Sequence, residues 1–216
     1  MHRRIVLSIA LILACAAVLW AAKDFQMPRA ENAATYPAHD QHPQEKVTIA
    51  ADPYDMPNKA SIFTVKYDEN ELIPVYVIIT NDGDQPVTLT NMEVTMKYRD
   101  RSKVAPSTED NILSRITHVK QRGGELPKAY PLPIPKKPKG GVPKGALDEL
   151  DQAMFKVKAV EPHATRAGFM FFDYSGLSNP LEGATLYITG IRDNNGSELM
   201  YFEIPLEKYL SSQPSH

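Results

Sequence analysis

The sequence predicts a mainly β fold: an antiparallel sandwich with a helical, Pro/Lys-rich insertion, preceded by an apolar export helix. Three observations carry that expectation. Residues 72–91, LIPVYVIITNDGDQPVTLTN, alternate β-branched and aromatic positions on either side of a polar break. Residues 184–206 repeat the arrangement around Asn195-Gly196, a pair suited to a tight reversal. Seven or eight such runs, separated by turn signals, lie before and after one irregular stretch, a spacing typical of two packed antiparallel sheets.

The chain of 216 residues is long enough for one sizeable core, and 43% hydrophobic with 23% charged residues is ordinary for a soluble globular protein. Residues 1–22 begin with Arg3 and Arg4 and contain no acid; 5–22, IVLSIALILACAAVLWAA, have Ser8 as their one polar residue. A basic head followed by an apolar run is the layout of an export signal. Three outcomes stay open: cleavage near residues 14–16 or after Ala21 or Ala22, retention as a signal anchor, or lipidation at Cys15, whose Ile12-Leu13-Ala14-Cys15 context is similar to a lipobox. The expected location is the periplasm, free or membrane-anchored.

Beyond residue 22 the chain has 22 basic and 26 acidic residues, a mildly acidic balance that argues against nucleic acid as a partner. Cys15 is the only cysteine, so the mature chain can form no disulfide, thiol nucleophile or cysteine-based metal site. No phosphate-binding glycine loop, nucleophile elbow or H-E-x-x-H pair occurs, and no catalytic, cofactor or metal residue is assigned.

Residues 23–45 lack periodicity and are expected to form a flexible linker; His39 and His42 within it would need a rigid support to hold a metal. The sandwich domain is expected over 46–210, with a tail at 211–216. Its first strands fall at 47–51 and 60–67, ASIFTVKY. Residues 72–91 then form a hairpin with Gly83 at the reversal, and 92–99 follow with Met92, Val94, Met96 and Tyr98 on one face. The insertion covers 100–162. It starts with a short helix presenting Ile112, Leu113, Ile116 and Val119. A second helix, 146–155, is expected to bury Leu147, Leu150, Met154 and Phe155. Between them, residues 126–145 hold six prolines and five lysines, which favours extended conformations. Strands resume at 155–160, at 165–173, where Gly168 suits a bend or a close backbone approach, and at 184–192 and 199–206.

From residue 120 to 145 there are seven basic residues and one acid, within an acidic protein. Lys128, Lys136, Lys137, Lys139 and Lys144, with Tyr130, are therefore the candidate partner-binding residues, directed at an envelope protein or an anionic envelope component.

The stretch Asn81-Asp82-Gly83-Asp84-Gln85-Pro86-Val87 resembles the N-x-G-D-x-P-V hairpin of bacterial exported immunoglobulin-like domains. Glu161-Pro162-His163 leading to Gly168 and the aromatic run Phe169-Met170-Phe171-Phe172 is similar to a late strand pair of such domains. The likeness spans about two-thirds of the mature chain by motif placement. It implies an immunoglobulin/fibronectin-like sandwich with a role in adhesion, assembly or sensing, and no active site. The chain departs from the disulfide-bearing pattern, since paired cysteines are absent and its one tryptophan, Trp20, lies in the export segment. The function expected is a non-enzymatic exported interaction domain at the cell envelope. The alternative is a periplasmic protein inhibitor or an accessory subunit of an enzyme complex.

Overall fold

The computed structural model describes residues 25–118, 142 and 145–213. In chain order its elements are β1 (His39–His42), β2 (Val47–Pro53), α1 (Pro57–Ala60), β3 (Leu72–Asn81), β4 (Val87–Thr88), β5 (Glu93–Lys97) and β6 (Lys103–Val104). Then follow α2 (Glu109–His118), α3 (Ala146–Ala153), β7 (Ala159–Val160), β8 (Ala164–Asp173), β9 (Thr185–Thr189), β10 (Phe202–Pro205) and α4 (Glu207–Ser212). Among the described residues, the pairings between these strands are all antiparallel. One sheet has the order β1-β2-β3-β8, the other β10-β9-β5-β6, and β4 pairs with β7.

All ten residues of β3 are buried. The two-residue repeat of a strand sends Ile73, Val75, Val77 and Ile79 to one face, where they meet Leu186, Ile188, Phe202 and Ile204 of the opposite sheet. Leu72, Tyr76 and Ile78 face the other way, into a second cluster with Phe169 and Phe171 of β8, Ile112 and Ile116 of α2, and Leu150 of α3. Each such side chain withdrawn from water contributes roughly 1.5–3 kcal/mol, so β3 is stabilised from both faces. The protein thus has three layers: helices and loops, the β1-β2-β3-β8 sheet, and the β10-β9-β5-β6 sheet.

Several expectations are corrected. Residues 72–91 do not form a hairpin: β3 pairs with β2 and β8, and β4 crosses to β7. Gly83 stays out of the left-handed region. The chain instead turns through Asn81, whose Oδ1 accepts the Gly83 N–H at 2.9 Å while its Nδ2 donates to the carbonyls of Gln85 (2.8 Å) and Val160 (3.1 Å). The 60–67 run is not a strand. Pro57 at the start of α1 sets a helical turn, and the N–H groups of Thr64 and Val65 go to a carboxylate rather than a ladder.

The expected linker is built into the fold from residue 25 onward. Phe25, Ala33 and Ala38 are buried, and β1 adds a fourth strand. Small residues at the packing contacts, without a hydrophobic period, explain why the stretch reads as a tether. In α3 the buried face is Ala146, Glu149, Leu150 and Ala153, while Leu147 is 49% exposed. The helix stops at Ala153, because Met154 is already extended and bridges to Phe169. Of the 155–160 run only β7 is strand. The expected terminal tail begins as α4, pinned by the buried Tyr209. The expected strands at 47–51, 165–173, 184–192 and 199–206 correspond to β2, β8, β9 and β10, with β9–β10 a true hairpin. Gly168 admits a close backbone approach: a Cβ there would lie 2.6 Å from the Phe155 Cα.

Candidate functional site: an aromatic cleft at one end of the sheets

Two segments leave the same end of the first sheet and face each other. The first, 54–71, starts where Tyr54 donates its N–H to the Pro74 carbonyl at 2.8 Å. Lys59 of α1 reaches back to Asp52 at 2.5 Å and stands over the rings of Tyr54 (5.2 Å) and Tyr209 (4.5 Å). Burial raises the Asp52 pKa above the usual carboxylate range, and the bond from Lys59 works against that shift. The segment is held down by Glu149 of α3. This carboxylate, 2% exposed, accepts the Thr64 N–H (2.6 Å), the Thr64 hydroxyl, and the Tyr67 hydroxyl (2.9 Å). Glu71 closes the segment in the left-handed conformation, φ +56°.

The second segment, 174–182, is tied to the first. Tyr174 donates its N–H to the Glu71 carbonyl at 3.0 Å and its hydroxyl to the Asp68 carbonyl at 3.1 Å. At its root, Arg115 of α2 binds Asp173, and Ser175 bonds to both Asp173 and Glu71. Burial alone would raise the Asp173 pKa; the bonds from Ser175 and Arg115 outweigh it and hold the carboxyl below its ordinary value. Glu182 pairs with Arg99 at the far end.

Between the two segments lies a cleft of about 780 Å³, within the size range of small-molecule and peptide sites. Tyr54, Phe63, Tyr174, Pro57, Pro74 and Pro180 supply its flat apolar surfaces. Asp55, Asp68, Glu69 and Glu182 stand at its rim, all exposed, with Lys66 as the one cation among the described lining residues. A smaller depression of about 330 Å³, lined by Tyr98 and Arg99, lies on the other side of the 177–182 stretch, which therefore forms a ridge between two hollows.

The lysine-based candidate site, Lys128, Tyr130, Lys136, Lys137, Lys139 and Lys144, lies outside the described residues, as do Cys15 and the export segment. Among the described residues no helix is long and apolar enough to cross a membrane, and no group of three or more metal-ligating side chains occurs. His42 instead stacks on Phe202 at 3.9 Å between ring centres, and bonds Glu45 at 2.8 Å. The strand edges are partly occupied. Phe171 and Phe169 of β8 accept from Ser107 and Phe155, while Asp40 and Glu45 accept the N–H groups of Glu203 and Met200.

The cleft escapes sequence reasoning, because its walls come from segments more than 100 residues apart. The local signals are Pro53, Pro57 and Pro74, each within three residues of a tyrosine. Compared with family models, curated proteins and solved structures, the chain matches none.

Proposed function

We propose that this protein is a non-enzymatic, exported interaction domain that acts at the bacterial cell envelope and docks a partner in the 54–71/174–182 cleft. The observation that carries this reading is the character of the cleft: flat aromatic and proline surfaces, with its carboxylates at an exposed rim. A sugar-cleaving site needs a carboxyl group enclosed by apolar surroundings to act as acid, and these four are exposed. Asp55 is engaged by the Tyr209 hydroxyl, Glu69 by Lys66 and Glu182 by Arg99.

The strand orders support an immunoglobulin/fibronectin-type sandwich. Strands β2, β3 and β8 take the places of A, B and E, and β10-β9-β5-β6 those of G, F, C and C′. Export rests on the basic-then-apolar layout of residues 1–22, and the Lys-rich stretch of 120–145 offers a second, electrostatic contact to an anionic envelope component. The alternative, a periplasmic inhibitor or accessory subunit, is favoured by one feature: the 177–182 stretch lines both hollows and exposes Ser178, Asn179 and Glu182 between them.

The test is a photo-crosslinking side chain placed at Tyr174 in the full chain expressed with its own N-terminus, followed by fractionation and terminal mass analysis. Recovery in the envelope fraction with a discrete cross-linked envelope protein supports the proposal. A soluble protease as the cross-linked species supports the alternative. A cytosolic protein, or one without a cross-linked species, overturns both.

A further inference from the structure

We infer that the cleft takes a basic, proline-containing peptide segment in an extended conformation; this rests on reading the cleft as a docking site. Three observations converge. The walls present tyrosine and phenylalanine rings at Tyr54, Phe63 and Tyr174, flat surfaces of the kind against which proline rings pack in known recognition grooves. Two of the lining residues, Pro57 and Pro180, have no N–H to offer, so these stretches are poor at pairing with an added β-strand and suited to a ligand recognised by its side chains. A polyproline-type segment makes no internal hydrogen bonds and is already extended, so it loses little freedom on docking.

Charge selects the flanking residues of that peptide. Asp55, Asp68, Glu69 and Glu182 stand at the rim against Lys66, with Arg99 paired to Glu182 just beyond. The surplus is negative on the first wall, where Asp55, Asp68 and Glu69 stand against Lys66, while Glu182 on the second is offset by Arg99. A lysine or arginine beside the proline rings meets a carboxylate of the first wall, whereas an acidic segment is repelled there. The structural bonds described above fix both walls before any ligand arrives. Tyr174 is tied to Asp68 and Glu71, and Glu149 holds 64–67 from behind.

The experiment is fluorescence anisotropy with the full exported chain and labelled synthetic peptides: one of proline and lysine, one of proline and glutamate, one of glycine and lysine. The proline-lysine peptide is expected to bind about tenfold more tightly than either control, and less tightly as salt rises. A combined Asp68→Asn, Glu69→Gln variant is expected to weaken it about fivefold while circular dichroism and Tm stay unchanged; Tyr174→Ser is expected to weaken it and also to lower Tm, because it removes the tie to Asp68. Equal affinity for the proline-glutamate peptide, or affinity untouched by these variants, overturns the inference. Binding seen only after Lys136, Lys137 and Lys139 are changed to Gln assigns the cleft to the chain's own Pro/Lys stretch and overturns a partner peptide. If no peptide binds while the residue-174 cross-linker still traps an envelope protein, the peptide class is wrong and the docking reading stands; loss of both overturns both.

Discussion

Glu149 and Tyr67, 82 residues apart in the chain, share a 2.9 Å hydrogen bond that joins the inserted helix α3 to the wall of the cleft. The same carboxylate takes the Thr64 N–H, so one side chain replaces the ladder partners that the 60–67 run would have had as a strand. Glu149→Ala leaves these donors without an acceptor beneath the aromatic cluster and is expected to cost about 3 kcal/mol. Tyr67→Phe removes only one donor and is expected to cost about 1.5 kcal/mol. The double variant should fall short of the sum of the two, because both changes remove the same bond. Urea unfolding of the four proteins measures this directly, and additive losses would mean that the pair is not coupled.

Burial raises the pKa of Tyr54, Tyr67, Tyr98 and Tyr209 well above the ordinary phenol range, and that of Tyr76 to about 12. The folded state therefore keeps these protons at a pH where the unfolded chain has released them. Their contribution is fully present below about pH 10, and it is lost as pH rises beyond that value, by up to about 1.4 kcal/mol per pH unit for each group. Urea midpoints should hold constant from neutral pH up to that point and then fall steeply. Phenolate absorbance should appear together with unfolding rather than before it.

The alternation within residues 72–81 and 164–173 is enough to place two ten-residue strands, since a period of two needs no knowledge of the rest of the chain. Partner choice is not legible in the same way. Val87 pairs with Val160, 73 residues further along the chain, and nothing near either residue specifies the other. Residues 25–46 resemble a tether for a related reason. Ala33 and Ala38 pack by being small, which leaves no hydrophobic period to detect. The cleft is one step further removed, because Tyr54 and Tyr174 acquire a shared role only after β2, β3 and β8 are in register.

Gly190 and Gly196 both have positive φ, +75° and +82°, yet their surroundings differ. A Cβ at residue 190 would lie 1.9 Å from the Asn91 carbonyl oxygen, in the backbone of the neighbouring connection, while nothing lies within 4 Å of one at residue 196. Gly196→Ala meets only the conformational cost of the left-handed region, about 1 kcal/mol. Gly190→Ala must also displace the chain at Asn91 and is expected to cost about 3 kcal/mol or more. Thermal unfolding of the two variants side by side separates the terms, and equal losses would mean that the Asn91 segment yields freely.

Asn81, 1% exposed, does at the end of β3 what a hairpin turn would otherwise do. Its amide nitrogen serves two carbonyls and its oxygen serves the Gly83 N–H, so the chain leaves the sheet with those groups satisfied. One of the carbonyls belongs to Val160, which makes this side chain a link between β3 and β7. Asn81→Ala is expected to cost about 2–3 kcal/mol, because it strips partners from buried groups without adding apolar contact. Asn81→Asp keeps the acceptor for Gly83 but turns an oxygen toward the Gln85 and Val160 carbonyls, and should cost as much or more at neutral pH. Its deficit should shrink as the solution is acidified, since a protonated carboxyl at this position can donate one of the two bonds, whereas the alanine deficit should not respond in this way. Urea titrations of both variants at neutral and acidic pH, each referenced to the unmodified protein at the same pH, distinguish the loss of donors from the loss of shape. An Asn81→Asp variant as stable as the unmodified protein at neutral pH would show that the Val160 link carries no weight.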